Sequence, residues 1–390
     1  MVIYNNGIRI GSGAYEVDPA GRRCFRPHTP RIPPLEDVLD ALDPAAAAVR
    51  EFERALAGWQ PPGLPPGLID RLFARLDAVH SSGAEGSTTT FTDLMEYESS
   101  RRTAADPDDA AAVAACAAAF EAEAPGTSDP IDMTLAIHRR LFERSRDRMV
   151  ATTAGRLKGR ANGTTDPEAP EGIFYYTQPA SAPQALAEWR DFTLASDPRT
   201  PEMVRQVLSH WMFEHIHPVA DGNGRIGRLL VPVMLRRKGA TRVACAFLGE
   251  AVHEDKDLYV EALKTARISS DMTAWTRLML SFLRRSAAAN LDRLARLAAV
   301  EAQWRGVVAH FRSDSMVHKL APFALTRPAF TIEDARRAIG ATFASVNTAA
   351  AQLVDAGILV IADRARRDRL FLANAVLDIF DRFRPVPARG

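Results

Sequence analysis

Residues 215–230 read "HIHPVADGNGRIGRLL" and gather a histidine, a carboxylate, two glycines around an asparagine and two arginines between His217 and Arg228. The stretch before it, "VRQVLSHWMFEHIHP", has the spacing of an amphipathic helix, and Pro218 stops that helix because it cannot continue without losing a hydrogen bond. His217 is thereby delivered to a turn. In "ADGNGR", Gly222 and Gly224 permit positive φ and let backbone N–H groups converge at the start of a second helix, an arrangement that binds anions. Asp221 adds one carboxylate, enough to hold Mg²⁺ when substrate phosphates and waters supply the other ligands. Asn223 adds a neutral donor. Arg225 and Arg228, three apart on the second helix, share a face and can each grip a phosphate. His217 at the edge of this nest is placed as a general base for an attacking hydroxyl. The pattern implies group transfer from a nucleoside polyphosphate. Singly, each residue has a plainer reading as a helix end, a tight turn or a solvated arginine; the conjunction carries the inference.

Composition narrows what else the chain can be. It has 390 residues, 47% apolar and 25% charged, which suits two or three packed domains. A net charge of +1 gives no global attraction to nucleic acid or an acidic membrane. Cys24, Cys116 and Cys245 are far apart, with no Cys-x-x-Cys and no histidine cluster at zinc spacing, so a reducing cytoplasm is expected. "MVIYNNGIRIGSG" lacks a basic region followed by an apolar run, and no apolar stretch approaches membrane-spanning length. The expectation is a cytoplasmic protein with no membrane partner.

Working outward, "GIRIGSGAYEV" is strand-like and "RPHTPRIPP" a proline-rich connector, together an extended arm. Helical periodicity follows over 35–59 and 66–83, with Pro66 and Gly67 suited to a helix start, and then near 91–98, 108–123, 131–144, 182–195, 201–216, 225–238, 254–268 and 272–300. The interruption at 151–180 reads as a loop and hairpin around a β-favouring piece, Ile173 to Thr177. Toward the C-terminus the pattern is a Thr331-capped helix, a turn at Gly340, a longer helix ending at Gly357, and two short strands around a basic turn bearing Arg364, Arg366, Arg367 and Arg369. That order describes a winged helix. Residues 317–390 hold eleven Lys and Arg against seven Asp and Glu, so a DNA contact through the wing stands beside a plain packing or dimerisation role.

"HPVADGNGRIGR" resembles the signature of the Fic/Doc family, H-P-F-x-[DE]-G-N-G-R-x-x-R, with Val219 where phenylalanine is usual. The resemblance extends through "SHWMFEHIHP", "IHRRLF" at 137–142 and "DLYVEALKTARISSDMTAWTRLML", about half of the chain. It implies a mostly α fold: a Fic-type helical bundle with a short β-hairpin flap, here "IFYY", which in the family takes target backbone as an added strand, and a C-terminal winged helix-turn-helix domain. The domains expected are an N-terminal arm and helix over 1–60, an inhibitory-helix region over 61–128, the Fic core over 129–300 and the winged helix over 301–390.

The resemblance also implies chemistry. AMP would pass from ATP to a Ser, Thr or Tyr hydroxyl of a target protein, with His217 as base, Asp221 on Mg²⁺, and Gly222, Asn223, Gly224, Arg225 and Arg228 around the phosphates. Tyr259 stands where the family commonly has an aromatic near adenine; core packing is the alternative. "SSGAEGS", residues 81–87, fits the family's inhibitory pattern [ST]-x-x-x-E-[GN] through Ser81, Glu85 and Gly86. In that reading Glu85 pairs with Arg228 and blocks the γ-phosphate position. Phosphate transfer, removal of AMP, and a nucleotide-sensing regulator acting through DNA are the competing functions, and a homodimer is left open. Gly224 favours AMP over phosphate transfer, because the phosphorylating branch tends to carry lysine there.

Overall fold

The computed structural model describes residues 11–59, 61, 67–100, 107–121, 129–143, 145, 148–169, 171–362 and 369–381. In chain order the elements begin with β1 (Gly13–Val17), β2 (Arg23–Pro27), α1 (Leu39–Gly58), α2 (Leu68–Gly83), α3 (Phe91–Ser100), α4 (Pro107–Glu121), α5 (Pro130–Phe142) and α6 (Arg148–Thr153). A hairpin follows, β3 (Gly163–Thr165) and β4 (Ile173–Tyr175), and then α7 (Ala182–Leu194), α8 (Glu202–Ile216), α9 (Asn223–Arg237), α10 (Gly249–Glu254), α11 (Lys256–Ser269) and α12 (Thr273–Val308). The C-terminal part holds α13 (Val317–Thr326), β5 (Ala329–Thr331), α14 (Ile332–Ile339), α15 (Phe343–Asp355), β6 (Val360–Ile361), β7 (Leu370–Leu372) and α16 (Asn374–Phe380). The fold is mostly helical with two small sheets, as the sequence predicts.

Two compact units arise from non-contiguous stretches: residues 1–50, 80–85 and 115–287 in one, and 51–79, 86–114 and 288–390 in the other. At the centre of the first unit lies α8, which departs from the amphipathic helix expected. Every residue from Met203 to Ile216 is buried, Arg205, Gln206, Ser209, His210, Glu214 and His215 included. Neighbouring elements pack around it, so its polar side chains must find partners in the interior. Ser209 meets Thr193 Oγ1 at 2.6 Å, Gln206 donates to the Thr193 carbonyl at 3.2 Å, and His215 Nδ1 donates to the Trp211 carbonyl at 2.9 Å. Three buried tryptophans complete the shell. Trp189 donates to the Ser209 carbonyl, Trp275 to that of Val207, and Trp211, on α8 itself, to that of Leu263. Alternation could not reveal a helix buried all round, because its polar residues mimic a solvent face.

The arm also departs from a simple extension. β1 and β2 form an antiparallel hairpin with Tyr15 opposite Phe25, and β2 runs parallel to β4 with Cys24 opposite Tyr175. Since β3 pairs antiparallel with β4, the sheet order is β1-β2-β4-β3. Helix boundaries move as well. The helix expected from 225 starts at Asn223, the one expected over 254–268 is α11 with a separate short α10 before it, and the one expected to end at 300 runs to Val308. α6, whose C-terminal half runs into the segment expected to be loop and hairpin, is additional.

In the second unit, Thr331 caps α14 through a reciprocal capping box with Asp334, and Gly340 ends that helix at φ 71°. Thr342 caps α15, and β5, β7 and β6 form a three-stranded antiparallel sheet. Arg369 donates to Asn347 at 2.8 Å; the expected wing residues Arg364, Arg366 and Arg367, like Pro66, lie outside the described residues. Phe52, Phe73, Phe380 and Phe91 form a chain of ring contacts, with centroids 5.0, 5.7 and 4.6 Å apart in turn. The Asp381 carboxylate accepts from the N–H groups of Phe91 and Thr92, satisfying the otherwise open start of α3. Phe73 joins Phe52 to Phe380, and it is itself buried. Phe73→Ala is therefore expected to lower unfolding free energy by about 3–5 kcal/mol, read from the denaturant midpoint of the full chain.

Candidate functional site

His217 occupies the C-cap of α8 with φ 50° and ψ 58°, and its N–H still bonds the Phe213 carbonyl at 2.9 Å. Left-handed backbone is uncommon for a residue with a side chain, so the turn around it must be held from outside. Its Nδ1 lies 3.2 Å from the Glu214 carbonyl, which can only accept; Nδ1 therefore donates and Nε2 keeps a free lone pair. The imidazole stacks on Tyr176, centroids 3.9 Å apart and planes 5° from parallel. Burial, then the Lys158 cation, holds its pKa down at about 3. The ring is neutral at ordinary pH.

Beyond the turn, Gly222 caps α9 at φ 76°, and a Cβ there would lie 2.9 Å from the Phe142 ring. Gly224 is different from what the sequence suggests. It is helical, and it lacks a side chain for another reason: a Cβ would lie 2.2 Å from Glu85 Oε1. Asn223 also differs, since its side chain is spent on the loop itself. Its Oδ1 accepts from the Val219 N–H at 3.0 Å and its Nδ2 donates to the Val219 carbonyl at 2.9 Å. What it can offer an anion is its backbone N–H at the start of α9. Val219, at the usual phenylalanine position, is fully buried.

The two arginines have separate environments. Arg225 lies over the Phe142 ring at 5.2 Å, with Nη2 3.8 Å from Asp221. Arg228 is buried, donating through Nε to Ser81 Oγ at 2.9 Å and through Nη2 to the Ser81 carbonyl at 2.8 Å and Glu85 Oε1 at 2.7 Å. Burial opposes the charge on Glu85, but Arg228 outweighs it and holds this carboxyl below its usual range. The Glu85 side chain is 45% exposed, whereas that of Arg228 is 2% exposed, so the carboxylate has a way out and the guanidinium does not. The residues before Glu85 sit on α10: His80 Nδ1 lies 3.2 Å from His253 Nδ1, and a Cβ on Gly83 would lie 2.5 Å from the His253 ring. Gly86 follows at φ 99°.

Asp221 is 62% exposed, its Oδ1 accepting from the Gly222 N–H at 2.6 Å. A single open carboxylate fits a divalent ion whose other ligands come from phosphates, and no cluster of three or more metal-binding side chains occurs among the described residues. Tyr259 requires correction. It is buried, its hydroxyl lies 2.9 Å from His210 Nε2, and its ring packs on Trp275, so it belongs to the core beneath the site and cannot line an adenine pocket in this arrangement.

Sequence reasoning passed over Lys158, Asn162 and Tyr176. Lys158 donates from Nζ to the Ile216 carbonyl at 3.0 Å and to Asn162 Oδ1 at 2.7 Å, and from its backbone N–H to the Pro218 carbonyl at 2.9 Å. Asn162 Nδ2 donates to the Val219 carbonyl at 2.9 Å and, more weakly, to that of His217 at 3.4 Å. These residues lie in "GRLKGRAN", whose composition signals only a loop; the aromatic pair in "IFYY" was the one visible hint of Tyr176.

Residues 129–235, which contain the whole loop and the hairpin, match the model of the Fic/DOC family. A protein adenylyltransferase Fic of Nematostella vectensis is 30% identical over 139 residues, 35% of this chain and 28% of that one. A probable protein adenylyltransferase of Aquifex aeolicus (strain VF5) is 35% identical over 69 residues, 17% of this chain and 19% of that one. The chain thus spans less than a third of the length of either relative. The crystal structure of a Fic family protein from Desulfovibrio desulfuricans G20 shares the fold at 19% identity, with a TM-score of 0.56, covering 88% of this chain and 98% of that one. With the motif, its local geometry and the matched segment coinciding on one loop, the chain is a Fic-domain protein, residues 129–235 belonging to the Fic/DOC family.

Proposed function

We propose that this protein transfers AMP from ATP to a hydroxyl group of a protein, and that Glu85 is its internal brake. The observation that carries the reading is the convergence on one loop of a neutral imidazole with a free Nε2, a helix N-terminus and a buried guanidinium. His217 Nε2 takes the proton from the attacking hydroxyl; that oxygen bonds to the α-phosphorus as the bond to the β-phosphate oxygen breaks, and pyrophosphate leaves. The N–H groups at the start of α9 face the charge that develops. Asp221 is the residue that would hold Mg²⁺, which when bound neutralises phosphate charge. Arg228 binds a terminal phosphate only when Glu85 has withdrawn, because one guanidinium cannot serve both anions in the same geometry. The order of helix, turn, helix and hairpin over 331–372 supports reading the second unit's C-terminal part as a winged helix.

The test uses wild type, Glu85→Gly, and Glu85→Gly with His217→Ala, each incubated with ATP and Mg²⁺ and weighed intact and as peptides. An AMP-sized adduct should rise about tenfold or more in Glu85→Gly, the factor equivalent to about 1.4 kcal/mol of relieved competition, and vanish with His217→Ala. A phosphate-sized adduct would instead identify kinase-like transfer, and loss of AMP from a pre-modified protein, with no adduct formed, would identify the reverse reaction. Gly83→Ala should release the brake without touching Glu85, since its Cβ would strike the His253 ring. Gly306→Ala, which meets nothing within 4 Å, is the matched control and should behave as wild type.

A further inference from the structure

The loop from Ile216 to Val219 exposes four consecutive carbonyls where α8 has ended, and all four accept hydrogen bonds from two residues of one short segment. Ile216 accepts from Lys158 Nζ, His217 from Asn162 Nδ2, Pro218 from the Lys158 backbone and Val219 from Asn162 Nδ2. Helix-terminal carbonyls lack intrahelical partners, and a left-handed residue such as His217 persists only where its surroundings over-determine it. Lys158 is itself a buried lysine, 5% exposed, anchored by Asn162 Oδ1 at 2.7 Å. Both acceptors of its ammonium are neutral oxygens, and no carboxylate pairs with it among the described residues. A buried cation without a counter-ion is costly, and it projects its field onto whatever titrates nearby.

We propose that Lys158 is a positioning residue for the His217 loop, fixing its backbone through the Ile216 carbonyl and opposing protonation of the imidazole with its charge, while Asn162 anchors both. The proposal rests on His217 acting as the general base. Burial brings Lys158 down to about 7, so the cation is partly present at neutral pH and complete below it, where its charge adds to the larger effect of burial on the His217 ring. The groups acting on His217 are Lys158, which disfavours protonation, and Glu85 and the Glu214 carbonyl, which favour it; His215 is coupled to it, and Tyr176 stacks on its ring. Besides His217, the buried Cys24 thiol is the titratable group that acts on Lys158, favouring its charge.

The experiment takes the full chain in the Glu85→Gly background and compares Lys158→Met, Lys158→Arg and Asn162→Ser. Two readouts are made: kcat and KM for ATP across pH, and the His217 ring titration followed by NMR on histidine-labelled protein. Lys158→Met is expected to lower kcat about tenfold or more, leave KM for ATP within about threefold, and move the His217 titration and the acid limb of the rate upward by about half a pH unit or more. Lys158→Arg should return the acid limb toward the parent. Asn162→Ser, which loosens the clamp but keeps the charge, should lower kcat with a smaller shift of the ring titration. An unchanged His217 titration in Lys158→Met overturns the proposal, as does an equal loss in Lys158→Met and Lys158→Arg with no movement of the acid limb. If the Glu85→Gly parent shows no His217-dependent transfer, the functional reading fails separately, and the ring titration still decides what Lys158 does. Melting curves identify a variant that has failed to fold; Asn162→Ser then carries the test of the clamp.

Discussion

A guanidinium with almost no access to solvent must have an anion beside it. Arg228 is that group, and the geometry around it follows from the requirement. The Ser81 hydroxyl and carbonyl take up two of its donors, but neither supplies charge, so Glu85 completes the site. Gly224 has to be small because the carboxylate arrives against it, and Gly83 has to be small because the segment that delivers Glu85 lies against His253. Unpairing Arg228 without a replacement would leave a buried charge, an arrangement that costs several kcal/mol. If Glu85 withdraws, another anion must take its place, and a phosphate-bearing ligand has the suitable charge. On the proposed function, brake and substrate compete for one guanidinium.

The second constraint is the end of α8. A helix surrounded on all sides by protein has few ways to satisfy its last carbonyls. The chain solves this with a left-handed residue, a proline that forbids continuation and a neighbouring segment that donates to each carbonyl in turn. Because the strained residue is also the histidine with the free lone pair, the same bonds that close the helix also aim its ring. Asn223 ties the loop back to α9 from the other side, so the turn is fixed at both ends.

The polar motif was legible in the sequence because its residues are close together and act through type and spacing; His217, Asp221, Arg225 and Arg228 could be placed by counting. The short pattern holding Ser81 and Glu85 was legible only through family resemblance, since the pairing with Arg228 spans more than a hundred residues. Lys158 and Asn162 were not legible, because a lysine in a glycine-rich loop looks the same whether it is solvated or buried. Asn223 and Gly224 were visible, but their roles were misread: neither the spending of an amide on its own loop nor the close approach of a distant carboxylate leaves a local mark. Tyr259 follows the same logic, its hydroxyl being taken by a buried histidine on another helix. The helical architecture was readable from periodicity, while α8 showed where periodicity fails, with polar residues facing inward.

The sheet formed by the arm and the hairpin has a further consequence. β4 lies between β2 and β3, paired with β3 over its three residues and with β2 at Tyr175. Among the described residues the outer strands of that sheet are β1 and β3, and the three residues of β3, Gly163, Thr164 and Thr165, are all exposed and carry neither charge nor proline. An extended chain joining this sheet would therefore lay its backbone along the rim one strand removed from Tyr176, reading main-chain shape with little help from side-chain chemistry. Such a rim is tolerant of sequence, so discrimination between polypeptides would fall to the surfaces that surround it.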